Sequence, residues 1–346
     1  MNDDILVLRS EEIRELLRGR EPDVLAAVQD AYLAHAEGQS SLPHSSFVRF
    51  PGDDVNRIIA LPAFLGDGFE VAGVKWIASF PANLEHGMAR ASAVLVLNSC
   101  STGRPEAILE GSLVSTERTA ASAALAATLL LGGEAPEQVG LIGAGPINLA
   151  IARLLRAALP GTARFLVHDR DPGRADQAVS RLRRGARGGA APAITVDPAA
   201  TTEEVLRRCP LVSFATSATR PHVGDLSHCL PGAVLLHVSL RDLAPEAILA
   251  ADNVVDDPDH VCRAQTSVHL AEQATGSRDF IRCTLADIIR GRAPARRDSK
   301  TVAVFSPFGL GVLDLAVGKL VRDLALVRGL GESIRGFHPR PEPDIR

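Results

Sequence analysis

The sequence predicts an α/β fold in which a doubly wound parallel sheet is inserted into a smaller α+β domain. From residue 139 onward, short apolar runs alternate with segments of helix length, which is typical of a parallel sheet covered on both faces. Residues 41–100 instead contain strand-like runs separated by Gly, Pro and Asp, a pattern that favours an antiparallel layer. The length of 346 residues also favours two domains over one core.

The first part of the chain is predicted to hold one strand, two helices and the antiparallel layer. ILVL at 5–8 is the strand, and Ser10 is the expected N-cap of the helix EEIRELL. Helical spacing of apolar residues predicts a second helix over 21–37. A helix over 115–133 follows from hydroxyl residues before an Ala/Leu body that ends at paired glycines. The predicted strands of the layer are SSFVRF, NRIIALPAF, EVAGVKWIASF and ASAVLVLNS.

Six apolar runs after residue 139 supply the predicted parallel strands: VGLI (139–142), RFLVH (164–168), AITV (193–196), LVSF (211–214), AVLLHV (233–238) and NVVD (253–256). TVAVFSPFGLG then leads into a helix, GVLDLAVGKLVRDLALVRG. The resulting domain boundaries are 1–122 completed by 310–336 for the smaller domain, 123–309 for the parallel sheet, and 337–346 for a polar, proline-rich tail expected to be loosely ordered.

Composition excludes several classes of protein. A net charge of −4 argues against a nucleic-acid surface, because phosphate binding normally shows as a basic excess. No apolar run approaches the roughly 20 residues of a membrane helix. The five cysteines are odd in number and lack a C-x-x-C pair, so neither disulfides nor a structural metal are expected. We therefore expect a cytoplasmic protein with no metal, no nucleic-acid partner and no membrane partner.

LIGAGPIN follows a predicted strand and opens a predicted helix. Gly143 and Gly145 match the first two glycines of the Rossmann fingerprint, whereas Asn148 stands at the third position. Asp169 ends the next strand and can accept hydrogen bonds from a ribose, which favours NAD, although Arg170 could pair with the phosphate of NADP. An ordinary strand-turn-helix is the alternative. The predicted NAD contacts are Gly143, Gly145, Pro146, Ile147, Asp169, Arg170, Thr216, Ser217 and Ser239.

The stretch AGVKWIASFP, residues 72–81, places Lys75 inside an apolar run beside Trp76. Such a lysine usually lies at a strand edge with its charge in solvent. The alternative is that Lys75 faces a binding cleft, in which case Trp76 points to the opposite face and packs into a core or a subunit interface.

Arg118 is predicted to lie in the first turn of the Ala-rich helix. A cation there is mildly unfavourable unless an anion joins it, so a ligand carboxylate could meet both the guanidinium and free N–H groups. A surface pair with Glu117 or Glu110 is the other interpretation, and the residues alone do not decide between them.

Asp242 follows the run AVLLHV, at the end of a strand where ligands of doubly wound sheets bind. It could therefore activate a water as general base. It could also cap the helix APEAILA, which the spacing equally allows.

Five motifs, in this order, resemble the ornithine cyclodeaminase/μ-crystallin family: GVKWI (73–77), ERTAA (117–121), IGAG (142–145), SLRDL (239–243) and SPFGLGVLD (306–314). Within the family, NRIIALPAF, GVKWIASFPAN, MARASAVLVLN and EGSLVSTERTAAS look most similar to the N-(2-amino-2-carboxyethyl)-L-glutamate dehydrogenase branch of 2,3-diaminopropionate biosynthesis, which serves siderophore and antibiotic pathways.

The resemblance implies a homodimer, with an N-terminal substrate and dimerisation domain and an inserted Rossmann domain that binds NAD. Lys75, Arg118 and Arg49 would hold a substrate carboxylate, and Asp242 would handle the water or proton. The implied reaction is NAD-dependent oxidation at the glutamate α-carbon followed by imine hydrolysis, giving 2-oxoglutarate and L-2,3-diaminopropionate. Arg57 and Arg90 suit a substrate with three carboxylates.

Other activities remain open at this point. Ornithine cyclodeaminases carry a glutamate where this chain is best matched by Ala60, which disfavours ornithine as substrate. A ketimine reductase, an amino-acid dehydrogenase or a dinucleotide-binding protein without catalysis would have the same fold.

Overall fold

The structure is a computed structural model that describes residues 3–185 and 193–339. The chain divides into two compact units, Met1–Arg118 with Leu310–Arg346, and Thr119–Gly309. Each unit contains helices and one large sheet, so the predicted α/β class is confirmed. The assignment of substrate binding to one unit and NAD binding to the other stays a prediction.

The strands of the chain are β1 (Ile5–Leu8), β2 (Ser40–Ser41), β3 (Ser46–Phe50), β4 (Asp53–Leu65), β5 (Val71–Ser79), β6 (Ala91–Ser99), β7 (Pro105–Glu110), β8 (Val139–Ile142), β9 (Arg164–His168), β10 (Thr195–Pro198), β11 (Leu211–Phe214), β12 (Val234–His237), β13 (Asp252–Val255), β14 (Ile281–Thr284), β15 (Ala303–Ser306) and β16 (Glu332–Ile334). The helices are α1 (Ser10–Leu17), α2 (Glu21–Ala36), α3 (Gly111–Leu130), α4 (Pro146–Ala158), α5 (Pro172–Gly185), α6 (Thr202–Arg208), α7 (Pro245–Ala250), α8 (Pro258–Val261), α9 (Ser267–Thr275), α10 (Leu285–Ile289) and α11 (Gly311–Arg328).

The first unit is built on a sheet with the order β16-β1-β7-β6-β5-β4-β2, in which β3 also pairs with β4. Strands β2 to β7 pair antiparallel, as predicted, whereas β1 runs parallel to β7. Helix α11 packs on β4, β5 and β6. Two glycines allow this close approach, because a Cβ on Gly318 of α11 would overlap the side chain of Leu95 in β6, and one on Gly73 of β5 would lie only 3.0 Å from the side chain of Leu315 in α11.

Several sequence predictions for this unit are corrected. Strand β7 was not predicted. Arg9, not Ser10, is the N-cap of α1, and it forms a capping box with Glu12. The tail is ordered further than expected, because the backbone N–H of His338 donates to the carbonyl oxygen of Asp3 (3.0 Å) and its ring contacts the carbonyl oxygen of Pro105 (2.8 Å). Residues 340–346 of the predicted tail lie outside the described residues.

The second unit contains a sheet with the order β10-β9-β8-β11-β12-β15-β13-β14. All the pairings within its described residues are parallel. The predicted runs VGLI, RFLVH and LVSF coincide with β8, β9 and β11, whereas AITV is displaced two residues toward the N-terminus from β10. The strand order reverses between β8 and β11, and ligands of doubly wound sheets bind at the carboxyl ends of such a pair.

Residues 3–185 and 193–339 contain neither a candidate membrane helix nor a candidate metal cluster. None of their helices is long and apolar enough to cross a membrane. No group of three or more His, Cys, Asp or Glu side chains among them is arranged to hold a metal ion.

Candidate active site

Lys75 is a buried cation at the centre of the first unit's sheet. Its Nζ donates to Oδ2 of Asp314 (2.6 Å) and to Oγ of Ser115 (3.1 Å), and the residue is only 2% exposed. The interpretation as a strand-edge lysine with its charge in solvent is therefore wrong. Trp76 points to the other face, as predicted, but it is 42% exposed and lies in no core of this chain.

Arg118 joins the same cluster from helix α3. Its Nε donates to Oδ1 of Asp314 (3.1 Å) and its Nη2 to Oγ of Ser115 (3.3 Å). The predicted pairing of Arg118 with Glu117 or Glu110 is therefore replaced by contacts with Asp314 and Ser115. Both cations of the predicted carboxylate site thus share one buried aspartate and one serine.

The predicted place of Arg118 in the first helical turn is wrong, because α3 begins earlier, at Gly111. The carboxylate of Glu110 accepts hydrogen bonds from the backbone N–H groups of Ser112 (2.9 Å) and Leu113 (3.0 Å) and so caps the helix. Arg118 lies seven residues after Gly111, so the free N–H groups of the helix end are not beside its guanidinium.

The environment of Lys75 disfavours its charged form. Burial, followed by the charge of Arg118, lowers the pKa of Lys75 to about 8, against the opposing effects of the Asp314 charge and hydrogen bond. Proton binding at this amine is therefore sensitive to any further anion that enters the cluster.

Three predicted arginines form a row at the edge of the same sheet. Arg49 of β3 lies directly opposite Arg57 of β4, and Arg57 lies opposite Ser79 of β5. The Nη1 group of Arg90 donates to Oγ of Ser79 (2.8 Å). Burial, followed by the charge of Arg49, lowers the pKa of Arg57. Like charges placed directly opposite destabilise a sheet, so the row favours an anionic ligand.

This arginine row (Arg49, Arg57 and Arg90) and Lys75 lie on the same face of the sheet. Lys75 is opposite Leu61, four residues from Arg57 along β4, and alternate residues of a strand share a face. The separation along the strand is about 13 Å at roughly 3.3 Å per residue. The structure therefore brings Lys75 and Arg118 together in one group and the other three predicted cations in a second.

Ala60 does not bear on this face. It lies opposite Trp76, so an acid at position 60 would point away from Lys75. The β4 residues that share the face of Lys75 are Ile59 and Leu61, together with Arg57, and the match of Ala60 to the glutamate of ornithine cyclodeaminases stays a prediction. Neither aliphatic side chain could bind the side-chain amine of ornithine.

In the second unit, Gly143 and Gly145 shape the turn between β8 and α4. Gly143 has φ +95°, and a Cβ there would overlap the carbonyl oxygen of Ala215 at the end of β11. A Cβ on Gly145 would have no atom within 4 Å, so the space over the N-terminus of α4 is open. Pro146 has no N–H, so of the predicted pyrophosphate donors only Gly145 and Ile147 can donate.

Asn148, which departs from the fingerprint, ties this turn together. Its side-chain amide donates to the carbonyl oxygens of Ile142 (2.9 Å) and Gly143 (2.7 Å), and its Oδ1 accepts from the hydroxyl of Ser213 (2.7 Å). The residue is fully buried. A third glycine would pack the helix on the strand, whereas this asparagine replaces that packing with three hydrogen bonds.

Asp169 lies beside the same turn. Its Oδ2 accepts from the backbone N–H of Ala144 (2.8 Å) and its Oδ1 from that of Asp171 (3.0 Å). Each carboxylate oxygen has a second lone pair, so the predicted bonds to ribose hydroxyls are compatible with these contacts. Arg170 is exposed. The open helix terminus, the Gly143 turn and this acid together fit a dinucleotide.

Asp242 is held at the carboxyl ends of β11 and β12. Its Oδ1 accepts from the hydroxyl of Thr216 (2.5 Å), Oδ2 accepts from the hydroxyl of Ser239, and its backbone N–H donates to Nε2 of His237 (3.1 Å). Burial opposes ionisation most strongly, but hydrogen bonding and charge from His237, with the two hydroxyls, lower the pKa of Asp242. Helix α7 has Ala244 as its N-cap, so Asp242 does not cap it.

Asp242 is fully buried, so its carboxylate does not meet solvent directly. Ser217 is exposed on the loop after β11, next to Thr216. Leu240, between Ser239 and Asp242, has φ +71°, an unfavourable value for a leucine that commonly marks functional loops.

Comparison with known proteins identifies the family. The model of the ornithine cyclodeaminase/mu-crystallin family matches residues 4–328. The chain belongs to this family. The predicted family is thus confirmed over almost the whole chain.

Two curated relatives align along almost the whole chain. The N-((2S)-2-amino-2-carboxyethyl)-L-glutamate dehydrogenase of Staphylococcus aureus is 25% identical over 340 residues, covering 96% of this chain and 99% of the relative. The alanine dehydrogenase of Archaeoglobus fulgidus is 26% identical over 346 residues, with coverage of 96% and 99%. The first of them agrees with the predicted branch, and the second shows that another amino-acid activity is equally near in identity.

Solved structures share the fold of this chain. The Δ(1)-pyrroline-2-carboxylate reductase of Thermococcus litoralis, in complex with NADH and L-proline, has a TM-score of 0.84 at 23% identity and covers 95% of this chain and 99% of its own. An archaeal alanine dehydrogenase dimer with bound NAD has a TM-score of 0.82 at 25% identity, with coverage of 96% and 99%. The Rossmann-type architecture predicted for the sequence is therefore that of the family.

Sequence reasoning missed three buried residues of this family member. Asp314 binds Lys75 and Arg118, and its only signal was its place at the end of the motif SPFGLGVLD. His237 also contacts Oγ of Ser306 through Nδ1 (3.2 Å). Asp256 accepts from the backbone N–H groups of Phe308 (2.9 Å), Gly309 (2.8 Å) and Asp257 (2.8 Å), and burial raises its pKa to about 6 despite these bonds.

Proposed function

We propose that the protein catalyses NAD-dependent oxidative cleavage of N-(2-amino-2-carboxyethyl)-L-glutamate. The bond from the glutamate α-carbon to hydrogen breaks, a hydride passes to NAD⁺, and the secondary amine loses a proton to give an imine. Water then adds to the imine carbon, and the C–N bond breaks to release 2-oxoglutarate and L-2,3-diaminopropionate.

The arginine row is the observation that carries the proposal. Lys75 and Arg118 suffice for one carboxylate, the group that every α-amino acid carries. A second group of three arginines on the same face is more than a monocarboxylate such as alanine requires. A substrate with three carboxylates accounts for both groups, and the curated relative from S. aureus is named for that substrate.

Cofactor binding is proposed for the second unit. The N–H groups of Gly145 and Ile147, at the positive end of α4, would bind the pyrophosphate, and Asp169 would accept hydrogen bonds from the ribose. Thr216, Ser217 and Ser239 follow the strands next to this turn. Bound NAD⁺ would supply the hydride acceptor. Two solved relatives contain NAD or NADH, which supports NAD as the cofactor.

Asp242 is the proposed base. It is ionised at neutral pH, because its pKa is lowered. Since it is buried, we propose that it acts through the hydroxyls of Thr216 and Ser239, which it polarises by accepting their protons in hydrogen bonds. A base that acts through one intervening hydroxyl can still accept the proton of a water molecule by relay.

The test is incubation of the purified protein with NAD⁺ and synthetic N-(2-amino-2-carboxyethyl)-L-glutamate, with L-ornithine in parallel. NADH is followed at 340 nm and products by mass spectrometry. We expect NADH, 2-oxoglutarate and diaminopropionate from the first substrate. Proline and ammonia from ornithine, with no net NADH, would instead identify a cyclodeaminase.

Alanine dehydrogenase is the second candidate, because the A. fulgidus enzyme is as similar as the first relative. Under this candidate Lys75 and Arg118 bind the single carboxylate and the arginine row is dispensable. Substitution of Arg57 by Gln separates the two, since it should raise KM for the tricarboxylate and leave KM for L-alanine unchanged.

A homodimer is also proposed. Phe47, Phe50, Trp76 and Met88 are exposed apolar side chains of the first unit, and one solved relative is described as a dimer. Light scattering coupled to size-exclusion chromatography should give twice the mass of 36.6 kDa. The cytoplasmic location and the biosynthetic pathway stay predictions.

A further inference from the structure

Asp314 joins the two cations of the proposed carboxylate site. It is the fourth residue of α11, is fully buried, and is surrounded along the helix by Val312, Leu313 and Leu315. Each of its oxygens binds one cation: Oδ2 binds Lys75 and Oδ1 binds Arg118. One carboxylate therefore fixes the position of both cations.

The cluster retains a net positive charge and free donors. Lys75, Arg118 and Asp314 together carry two positive charges and one negative charge. The third N–H of Lys75 and the Nη1 amino group of Arg118 have no partner among the described residues. A buried charge without a counter-ion is costly, so a purely structural cluster would be expected to balance its charges.

We propose that Asp314 is a positioning residue that sets this cluster to bind one monoanionic carboxylate. It offsets one of the two positive charges and orients both cations, so that their free donors converge on the α-carboxylate of the substrate. The proposal rests on the proposed role of Lys75 and Arg118 in carboxylate binding. It adds a specificity: the site should prefer a carboxylate, with one charge, over a phosphonate with two.

Few charged groups act on Lys75, so the pH dependence of KM in variants of this cluster can be interpreted. Its strand neighbours Leu61 and Leu95 are apolar, and the charged groups that act on it are Arg118 of α3 and Asp314 of α11. Removal of the Asp314 charge leaves only effects that lower the pKa of Lys75. The amine would then lose its proton at a lower pH, and carboxylate binding with it.

The test compares Asp314→Asn with Asp323→Asn. Asp323 lies on the same helix and also binds one lysine and one arginine, Lys319 (2.5 Å) and Arg322 (2.8 Å), but its side chain is partly exposed to solvent. For Asp314→Asn we expect KM for the amino-acid substrate to rise about tenfold at pH 8, less at pH 6, with KM for NAD unchanged. The control should match wild type in all these constants.

Asp314→Glu keeps the charge but moves it by one methylene. We expect Asp314→Glu to raise KM for the amino-acid substrate while keeping the wild-type pH dependence of KM. This variant provides the test if Asp314→Asn does not fold. An unchanged KM in a folded variant at position 314, or a rise in KM with no difference between pH 6 and pH 8 for Asp314→Asn, would overturn the proposal.

Ligand binding separates this proposal from the proposed function. Calorimetry of the wild type with NADH present should detect 2-oxoglutarate, L-alanine or N-(2-amino-2-carboxyethyl)-L-glutamate, and should detect the phosphonate analogue of alanine more weakly. Binding and turnover of L-alanine alone would overturn the proposed function and leave the role of Asp314 supported. Failure of all the carboxylates to bind, or a stronger affinity for the phosphonate, would overturn the role of Asp314.

Discussion

Replacement of Asn148 by alanine should destabilise the second unit and weaken NADH binding. The side chain makes three buried hydrogen bonds, and one of its partners, the carbonyl oxygen of Ile142, also accepts from the N–H of Ala215 (3.0 Å). The carbonyl oxygen of Gly143 and the hydroxyl of Ser213 would lose their partner. At about 1–3 kcal/mol for each unsatisfied group, the expected loss is about 2–6 kcal/mol.

Urea unfolding followed by circular dichroism measures this loss, and NADH fluorescence measures the affinity. Because the glycine turn loses its tether, we expect the Kd for NADH to rise about tenfold, equivalent to roughly 1.4 kcal/mol. Ser213→Ala is the matched control: it removes one of the three bonds and should cost about 1–3 kcal/mol. The double variant should show a coupling of about 0.5–3 kcal/mol between the two sites.

An Asn148→Ala variant that behaves like wild type would contradict this prediction. In that case its free energy of unfolding would lie within about 0.5 kcal/mol of the wild-type value, the usual range for a surface substitution, and its affinity for NADH would be unchanged. The three hydrogen bonds would then not hold the turn.

Three further predictions concern buried ionisable groups. Asp242→Asn should keep NADH affinity but abolish most turnover; near wild-type turnover would contradict its role as base. Lys75→Met should remain folded with a greatly raised KM for the amino-acid substrate. The folded pKa of Lys75 is about 8, below its ordinary 10.5, so the unfolded state binds the proton more tightly. Urea titrations should therefore show wild type gaining stability relative to this variant as the pH rises from 8 to 10.5. Asp256 has a folded pKa of about 6, above the ordinary 3.8, so its contribution to stability should be lost as pH rises from about 4 to 6. Asp256→Asn should lack this dependence of unfolding free energy on pH. An equal dependence in both proteins would contradict the raised pKa of Asp256.

Strands and the nucleotide turn were predictable because their signals are local. Apolar runs such as LVSF are buried on both faces, and the first two glycines fix the turn by backbone geometry alone. Strand β7, with the sequence PEAILE, was missed because it runs directly into α3 with no turn between the two elements. The start of α3 was wrong for the same reason, since its cap is Glu110, a residue type that rarely caps helices.

Of the buried charged residues, the two cations were predictable from the sequence and their shared aspartate was not. Lys75 stands out in the sequence because a cation in an apolar run is unusual, and Arg118 because a cation near a predicted helix start is unfavourable. Their shared partner Asp314 lies 196 residues from Arg118 along the chain, and no spacing rule connects such distant positions. The face that Ala60 occupies was not predictable either, because strand register decides the face and a shift of one residue reverses it.

Stoichiometric formation of NADH from N-(2-amino-2-carboxyethyl)-L-glutamate is the decisive measurement of the proposed activity. The absorbance at 340 nm and the 2-oxoglutarate released should be measured in the same reaction for wild type and for Lys75→Met. We predict one NADH for each 2-oxoglutarate with wild type, and a greatly raised KM with the variant. Turnover of L-alanine or L-ornithine without turnover of the tricarboxylate would show that the enzyme has a different activity.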